Sequence, residues 1–170
     1  VQALAQRHEL HVFAQETDQP VAGVTYHRVP CISPKPRWLN QWLFALVTWW
    51  KTRSGFDVVH SHENTWHGQI QTIHVRTVSH SLFNGKRGLD KALRWLKVLL
   101  SLRLQTYLLL ERLRFKNSPR RYIVAASDLL RLESQAIFSA CTHVQWSSIA
   151  PGTDIPKAAQ SAEDGRQQLG

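Results

Sequence analysis

The distribution of apolar and polar positions divides the chain into short strands separated by helices. Short runs of β-branched and aromatic residues that stop at polar ones predict strands, and they occupy Glu9–Ala14, Val24–Val29, Phe56–His60, Ile70–Val75, Tyr122–Ala126 and His143–Ile149. Apolar residues at helical spacing predict helices over Val1–Gln6, Arg37–Arg53, Leu89–Lys116 and Asp128–Ser139. A break is expected in the third helix near Ser101. Because strands alternate with helices, the pattern predicts an α/β fold with an open, mainly parallel sheet flanked by helices.

The segments between these elements are polar or rich in proline and glycine, which is typical of loops. One of them, Arg76–Gly88, ends in Asn84–Gly88 and is predicted to be a mobile loop. Ser127 precedes the last helix and suits its N-cap, because a serine hydroxyl accepts a hydrogen bond from the first turn. A length of 170 residues is enough for one domain with a buried core. We therefore assign residues 1–155 to one domain and residues 156–170 to a linker.

Polar residues follow two neighbouring predicted strands at the point where each strand ends. His60, His62 and Glu63 come at the end of the apolar run that starts at Phe56, and His74 closes the next run. In open parallel sheets, ligands bind just beyond the carboxyl ends of the strands. The sequence therefore predicts a site at this edge. A histidine there can bind a substrate hydroxyl or cap its own loop backbone, and the spacing alone leaves both interpretations open.

The sequence His60-Ser61-His62-Glu63 also suggests a metal site, since imidazole and carboxylate groups are ligands of Zn²⁺. Alternate residues share a face of a strand only if the strand continues as far as His62. No further ligand set with a recognised spacing follows in the sequence. We therefore expect no bound metal, with His60 partly buried in the sheet and His62 or Glu63 lining a substrate pocket.

The chain is strongly basic, and much of the charge lies in one segment. The net charge is +9. Cations recur along Lys86–Lys116, at Lys86, Arg87, Lys91, Arg94, Lys97, Arg103, Arg112, Arg114 and Lys116. Leucines at helical spacing share the segment, at Leu89, Leu93, Leu96, Leu100 and Leu104, with Trp95 beside them. A basic amphipathic helix with tryptophan suits an anionic membrane surface. A leucine stripe that faces the core, with a solvated basic back, produces the same pattern.

Composition narrows the classes of partner and compartment. The basic charge and the tryptophan content also suggest a nucleic-acid-binding protein. However, the sequence has no DNA- or RNA-binding motif, so nucleic acid is not expected as a partner. Cys31 and Cys141 have no metal-ligand spacing, which favours a reduced intracellular protein. No signal peptide opens the chain and no apolar run reaches about 18 residues. The sequence has no Met and starts and stops as though within helices, so we expect a fragment cut at both ends.

A series of segments resembles one known family, in that family's order. These segments are Leu4–Ala14, Phe56–His62, Thr72–His74, Tyr122–Leu130, Ile149–Asp154 and Arg166–Gly170. They are similar to the first helix and second strand, the FDVVHxH strand, the T-x-H strand end, the vvavS strand and helix, and the IPxGvD…R..LG segment of family 4 glycosyltransferases. That family has the two-domain GT-B fold, and the segments resemble its N-terminal domain. The series spans nearly the whole chain.

The resemblance implies a Rossmann-like acceptor-binding domain of an enzyme that transfers a sugar from a nucleotide-sugar with retention of configuration. The family's first strand would precede Val1 and its nucleotide-sugar domain would follow Gly170. The fragment alone is therefore expected to be inactive. The basic helical segment resembles lipopolysaccharide-core transferases, so the expected acceptor is a lipid-linked or cell-surface glycan. The expected location is cytoplasmic, at the inner face of the plasma membrane.

The resemblance also assigns roles to individual residues. The family histidine that matches His74 lies close to the transferred sugar, so His74 is the expected catalytic residue. His62 and Glu63 are expected to line the acceptor site, Arg76 to contact acceptor phosphates, and Ser127 to face the cleft. The family generally needs no protein-bound metal, and no cofactor is implied. A nucleotide-sugar epimerase of the same GT-B fold is the alternative that the sequence leaves open.

Overall fold

The computed structural model describes residues 1–32, 35–116, 118 and 120–152 of the chain. Its strands are β1 (Leu10–Ala14), β2 (Val24–Arg28), β3 (His60–Ser61), β4 (Ile70–Ile73), β5 (Tyr122–Ala125) and β6 (Gln145–Ser148). One sheet has the order β3-β4-β5-β6, β1 and β2 form a second pair, and all these pairings are parallel. With helices flanking the strands, this confirms the predicted Rossmann-like α/β fold. The expected linker, residues 156–170, lies outside the described residues.

The helices largely follow the predicted spans. They are α1 (Gln2–Ala5), α2 (Arg37–Thr52), α3 (Val78–Phe83), α4 (Gly88–Leu99), α5 (Leu102–Arg114) and α6 (Asp128–Ile137). The break expected near Ser101 is confirmed, since it separates α4 from α5. Ser101 is the N-cap of α5, and its hydroxyl accepts a hydrogen bond from the backbone N–H of Leu104 at 3.4 Å. The serine hydroxyl replaces a backbone partner that the interrupted helix no longer supplies.

The helix α3 corrects the sequence analysis, which predicted a polar loop over Arg76–Gly88. Thr77 is its N-cap. A second cap comes from α5, where the Glu111 carboxylate accepts hydrogen bonds from the backbone N–H groups of Val78 and Ser79 at 2.5 and 2.9 Å. This carboxylate lies more than 30 residues away along the chain, so no local pattern reveals the cap.

The strand β3 is shorter and starts later than predicted. Its ladder with β4 contains His60 and Ser61 rather than the whole run from Phe56. Phe56 instead packs edge-on against Phe13 of β1, with ring centroids 5.9 Å apart, and Val58 is 59% exposed. Aromatic packing against β1, and not pairing with β4, therefore positions the start of this segment.

Two apolar clusters hold the described part of the chain together. The first lies against the four-stranded sheet and contains Ile73, Phe115, Ile123, Ala125 and Val144. The second joins α3, α4 and α5 and contains Leu82, Val98, Leu104 and Leu108. Because α3, α4 and α5 have their own core, they form a helical unit inserted between β4 and β5. Within the described residues, no helix is both long and apolar enough to cross a bilayer.

Candidate active site

The carboxyl ends of β3 and β4 bring two predicted site residues into contact. The parallel register pairs Ser61 with Gln71, so the residues that follow the two strands emerge side by side. His62 Nδ1 lies 3.0 Å from His74 Nε2. The two rings are parallel within 5°, with centroids 5.4 Å apart. The histidines that the sequence placed at one edge therefore form a hydrogen-bonded, stacked pair.

A third imidazole supports this pair from within the sheet. His60 Nε2 lies 2.5 Å from the hydroxyl oxygen of Thr72 on β4. The ring of His60 lies 4.4 Å from that of His62, centroid to centroid. Thr72 is buried, so its bond fixes the His60 ring, which in turn limits the movement of His62.

Electrostatics favour the neutral forms of His60 and His62. Burial, followed by the nearby charges of His62 and His74, lowers the pKa of His60. Burial, followed by His74 and Arg114, lowers the pKa of His62, while Glu63 opposes that shift. One proton then suffices for the bond between His62 and His74, because one nitrogen must donate and the other accept. The bond uses Nε2 of His74 and leaves Nδ1 of that exposed ring available to a ligand.

A buried arginine anchors the strand that carries His74, and the sequence analysis did not identify this role. The Arg114 guanidinium donates through Nη2 to the backbone carbonyl of Thr72. Burial lowers the pKa of Arg114 to about 10, and Glu111 and Glu63 partly oppose the shift, so the group is charged at neutral pH. The sequence did contain a sign of a buried charge in this helix. Glu111 continues the helical spacing of the buried residues Leu104 and Leu108, which places a carboxylate on the core-facing side, one turn before Arg114.

Glu63 lies in the segment after His62 and is exposed. Its backbone carbonyl accepts a hydrogen bond from the Ser61 hydroxyl at 3.1 Å, and its charge acts on both His62 and Arg114. The structure therefore places this carboxylate beside the histidine pair. Across residues 1–32, 35–116, 118 and 120–152, no three His, Cys, Asp or Glu side chains are grouped so that they could hold a metal ion.

Arg76 lies beyond His74 but contacts a different element. Its guanidinium donates to both carboxylate oxygens of Glu133 on α6, at 3.0 and 3.1 Å. His80 of α3 lies 3.7 Å from the same carboxylate. The structure thus ties Arg76 to α6, while more than half of its side chain stays exposed.

Ser127 occupies the same edge of the sheet at the end of β5, the strand next to β4. It is the N-cap of α6, and its hydroxyl accepts a hydrogen bond from the backbone N–H of Leu130 at 3.2 Å. Beside it is a polar cluster that the sequence analysis missed. Ser148 donates to Asp128 at 2.7 Å and accepts from Arg131 at 2.9 Å. Arg131 also donates to Asp128 at 3.0 Å, and the hydrogen bonds that Ser148 and Arg131 donate to this carboxylate are the main reason that the pKa of Asp128 is lowered.

Comparison with known proteins identifies the family of the chain. The family model of Glycosyltransferase Family 4 matches residues 1–132. No curated protein and no solved structure matches at the significance level applied. The matched residues include the first five strands in sequence and the histidine pair. Because the match covers well over half of the 170 residues, the chain belongs to glycosyltransferase family 4.

Proposed function

We propose that this chain is the acceptor side of a retaining glycosyltransferase that moves a sugar from a nucleotide-sugar to a lipid-linked or cell-surface glycan such as lipopolysaccharide. The observation that supports the proposal is the hydrogen-bonded pair of His62 and His74 at the carboxyl edge of a parallel sheet in a family 4 chain. Ligands of open α/β sheets bind at that edge.

The proposed roles follow from the positions of the side chains. His74 binds a hydroxyl of the sugar or the acceptor through its free ring nitrogen and orients it for reaction. His62 holds the ring of His74 through the bond to Nε2. Glu63 and Ser127 line the acceptor side of the cleft, and Arg76 contacts an acceptor phosphate through the exposed part of its guanidinium. The nucleotide-sugar binds to a second domain, beyond the linker at residues 156–170.

Transfer itself tests the proposal. The full-length protein is incubated with a panel of nucleotide-sugars and an anionic glycolipid acceptor, and the product is examined by mass spectrometry and NMR. We expect one added sugar whose anomeric configuration equals that of the donor. A product of inverted configuration would contradict the retaining mechanism. Conversion of the nucleotide-sugar without an acceptor would favour the epimerase.

The segment Lys86–Lys116 supports a membrane location for this reaction. The leucines of α4 point away from the core: Leu89 is 76% exposed and Leu93 is 54% exposed, whereas Val98 on the opposite side of the helix is buried. The stripe leucines from Leu89 to Leu100 are therefore exposed, and Leu104 of α5 packs into the core. Water is a poor environment for such an apolar face. Insertion into the interface of an anionic bilayer would cover it and place the flanking cations near lipid phosphates.

We expect the change of Lys91, Arg94 and Lys97 to glutamate to weaken binding to anionic vesicles at least about tenfold, since each basic residue near such a surface contributes about 1 kcal/mol. Co-sedimentation of the full-length protein with phosphatidylglycerol vesicles measures the effect. The matched control changes three exposed cations on other elements, Arg7, Arg28 and Lys51, to glutamate.

The control alters the net charge equally, so it separates a local contact from general attraction. Equal losses in the two variants would show that the net charge, and not α4, determines binding. Unchanged co-sedimentation of the α4 variant would refute the membrane contact.

A further inference from the structure

A groove lined by tryptophans lies at the opposite edge of the sheet from the histidine pair. The α2 residues Trp42, Leu46 and Trp49 recur at helical spacing and share one face, and Arg53, the C-cap of the helix, continues it. Trp66, in the connection between β3 and β4, lies against this face. Its ring centroid is 5.8 Å from that of Trp42 and 6.4 Å from that of Trp49.

The groove consists of two adjoining cavities that share Arg121. The first has a volume of about 580 Å³, and Trp42, Leu46, Trp66 and Leu113 form its apolar walls, with Lys116 at its end. The second has a volume of about 350 Å³. It is more polar, and Trp49, Arg53, His67, Gln69 and Arg120 are among its lining residues. Gln69 and Arg121 immediately precede β4 and β5, so the groove lies at the amino edge of the sheet.

Three cationic side chains, those of Lys116, Arg120 and Arg121, lie around the junction of the two cavities. Arg121 is held in place because its guanidinium donates to the backbone carbonyls of Arg114 and Trp66 at 2.6 and 2.8 Å. Its Nε is buried and has no hydrogen-bond partner among the described residues. Lys116 and Arg120 lie beside it and are exposed. None of the described residues that line the two cavities is Asp or Glu.

The surroundings of His67 are consistent with this positive field. Burial is the main cause that lowers the pKa of His67 to about 4, and the charge of Arg121 adds to the effect. The imidazole is therefore neutral at physiological pH. The charge of the groove comes instead from the arginines and the lysine.

We propose that this groove binds an anionic amphiphile, with its hydrocarbon chain along the tryptophan-lined cavity and its phosphate against Lys116, Arg120 and Arg121. The size of the groove falls in the range of small-molecule sites. Tryptophan suits a boundary between an apolar and a wet environment. A free phosphate would leave the apolar walls of the groove uncovered. A neutral lipid or sugar would leave its cations without a counter-charge. Only a ligand with both a hydrocarbon chain and a phosphate complements both parts of the groove. The site does not depend on the proposed sugar transfer.

Three soluble probes separate the contributions of the ligand's hydrocarbon chain and of its phosphate to binding. Decyl phosphate, decyl maltoside and inorganic phosphate are titrated below the micelle concentration into the full-length protein, and the tryptophan fluorescence is followed. We expect decyl phosphate to bind at least about tenfold more tightly than either of the other two. Equal binding of decyl maltoside, or equal binding of inorganic phosphate, would overturn the proposal.

Variants locate the site. The change of Lys116 and Arg120 to glutamate is expected to weaken the binding of decyl phosphate at least about tenfold. Both side chains are exposed, so the fold should tolerate the change, which circular dichroism checks. The matched control changes Arg7 and Arg28, two exposed cations that do not line the groove, to glutamate and should leave the affinity unchanged. A loss in this control equal to that in the groove variant would assign the binding to the net charge and reject the groove.

Discussion

Replacement of His74 by alanine in the full-length protein is expected to lower kcat/KM for sugar transfer about 10²- to 10⁴-fold, the range typical of a lost general acid or base. His74 is exposed, and its ring bonds to and stacks on His62. The buried residue before it, Ile73, anchors the strand to the core. The substitution should therefore remove the ring that contacts the substrate without weakening the fold, so the thermal unfolding temperature should change little.

The matched control is His143→Ala, an exposed histidine before β6 and hence at the other edge of the sheet. It should leave transfer nearly unchanged. Turnover of the His74 variant close to that of the unmodified protein would remove His74 from the catalytic site. A large loss of thermal stability in that variant would instead assign it a structural role.

The His74 variant also reports on the histidine pair. His74 is one of the causes, after burial, that lower the pKa of His62. Its removal should move the pKa of His62 upward, toward the ordinary value of about 6.5. NMR titration of the imidazole ring protons measures this shift, which a loss of acceptor binding alone would not produce. An unaltered titration of His62 would show that the two rings do not interact in solution.

The edge of the sheet that carries the site could be predicted because it depends on local patterns. Apolar runs end at His62, His74 and Ser127, and parallel strands bring their carboxyl ends to one edge. The bond between His62 and His74 could not be predicted, since it depends on the register of β3 against β4. Likewise, nothing near Arg76 in the sequence indicates that it pairs with Glu133, more than 50 residues away.

The helical unit shows a second limit of the sequence. Periodicity identified the leucine stripe and the break at Ser101, but it does not tell which side of an amphipathic helix faces the core. In the structure, Val98 faces inward and the leucines of α4 face outward, because α4 packs on α3 and α5 through the side that carries Val98. Helix α3 escaped prediction for a related reason. It has only six residues, too few for a stable helix without tertiary contacts.

Those tertiary contacts converge on Glu111, whose replacement by alanine is expected to lower the free energy of unfolding by about 3–5 kcal/mol. Glu111 is only 4% exposed. Its carboxylate accepts hydrogen bonds from the N–H groups of Val78 and Ser79 and from the Ser79 hydroxyl. It also partly offsets the burial of the Arg114 charge. Alanine would leave buried donors unpaired and that charge less compensated, which is among the most destabilising changes in proteins.

Denaturation in urea measures the loss of stability, and hydrogen exchange at α3 locates it. The amides of Val78 and Ser79 should exchange much faster in the Glu111→Ala variant, because their acceptor is gone. The matched control is Asp90→Ala, which removes the same charge from an exposed position in the first turn of α4 and should lower stability by no more than about 1 kcal/mol. Since α3 starts four residues after His74, its loosening should also reduce sugar transfer. Unchanged exchange at α3 would show that Glu111 does not cap this helix.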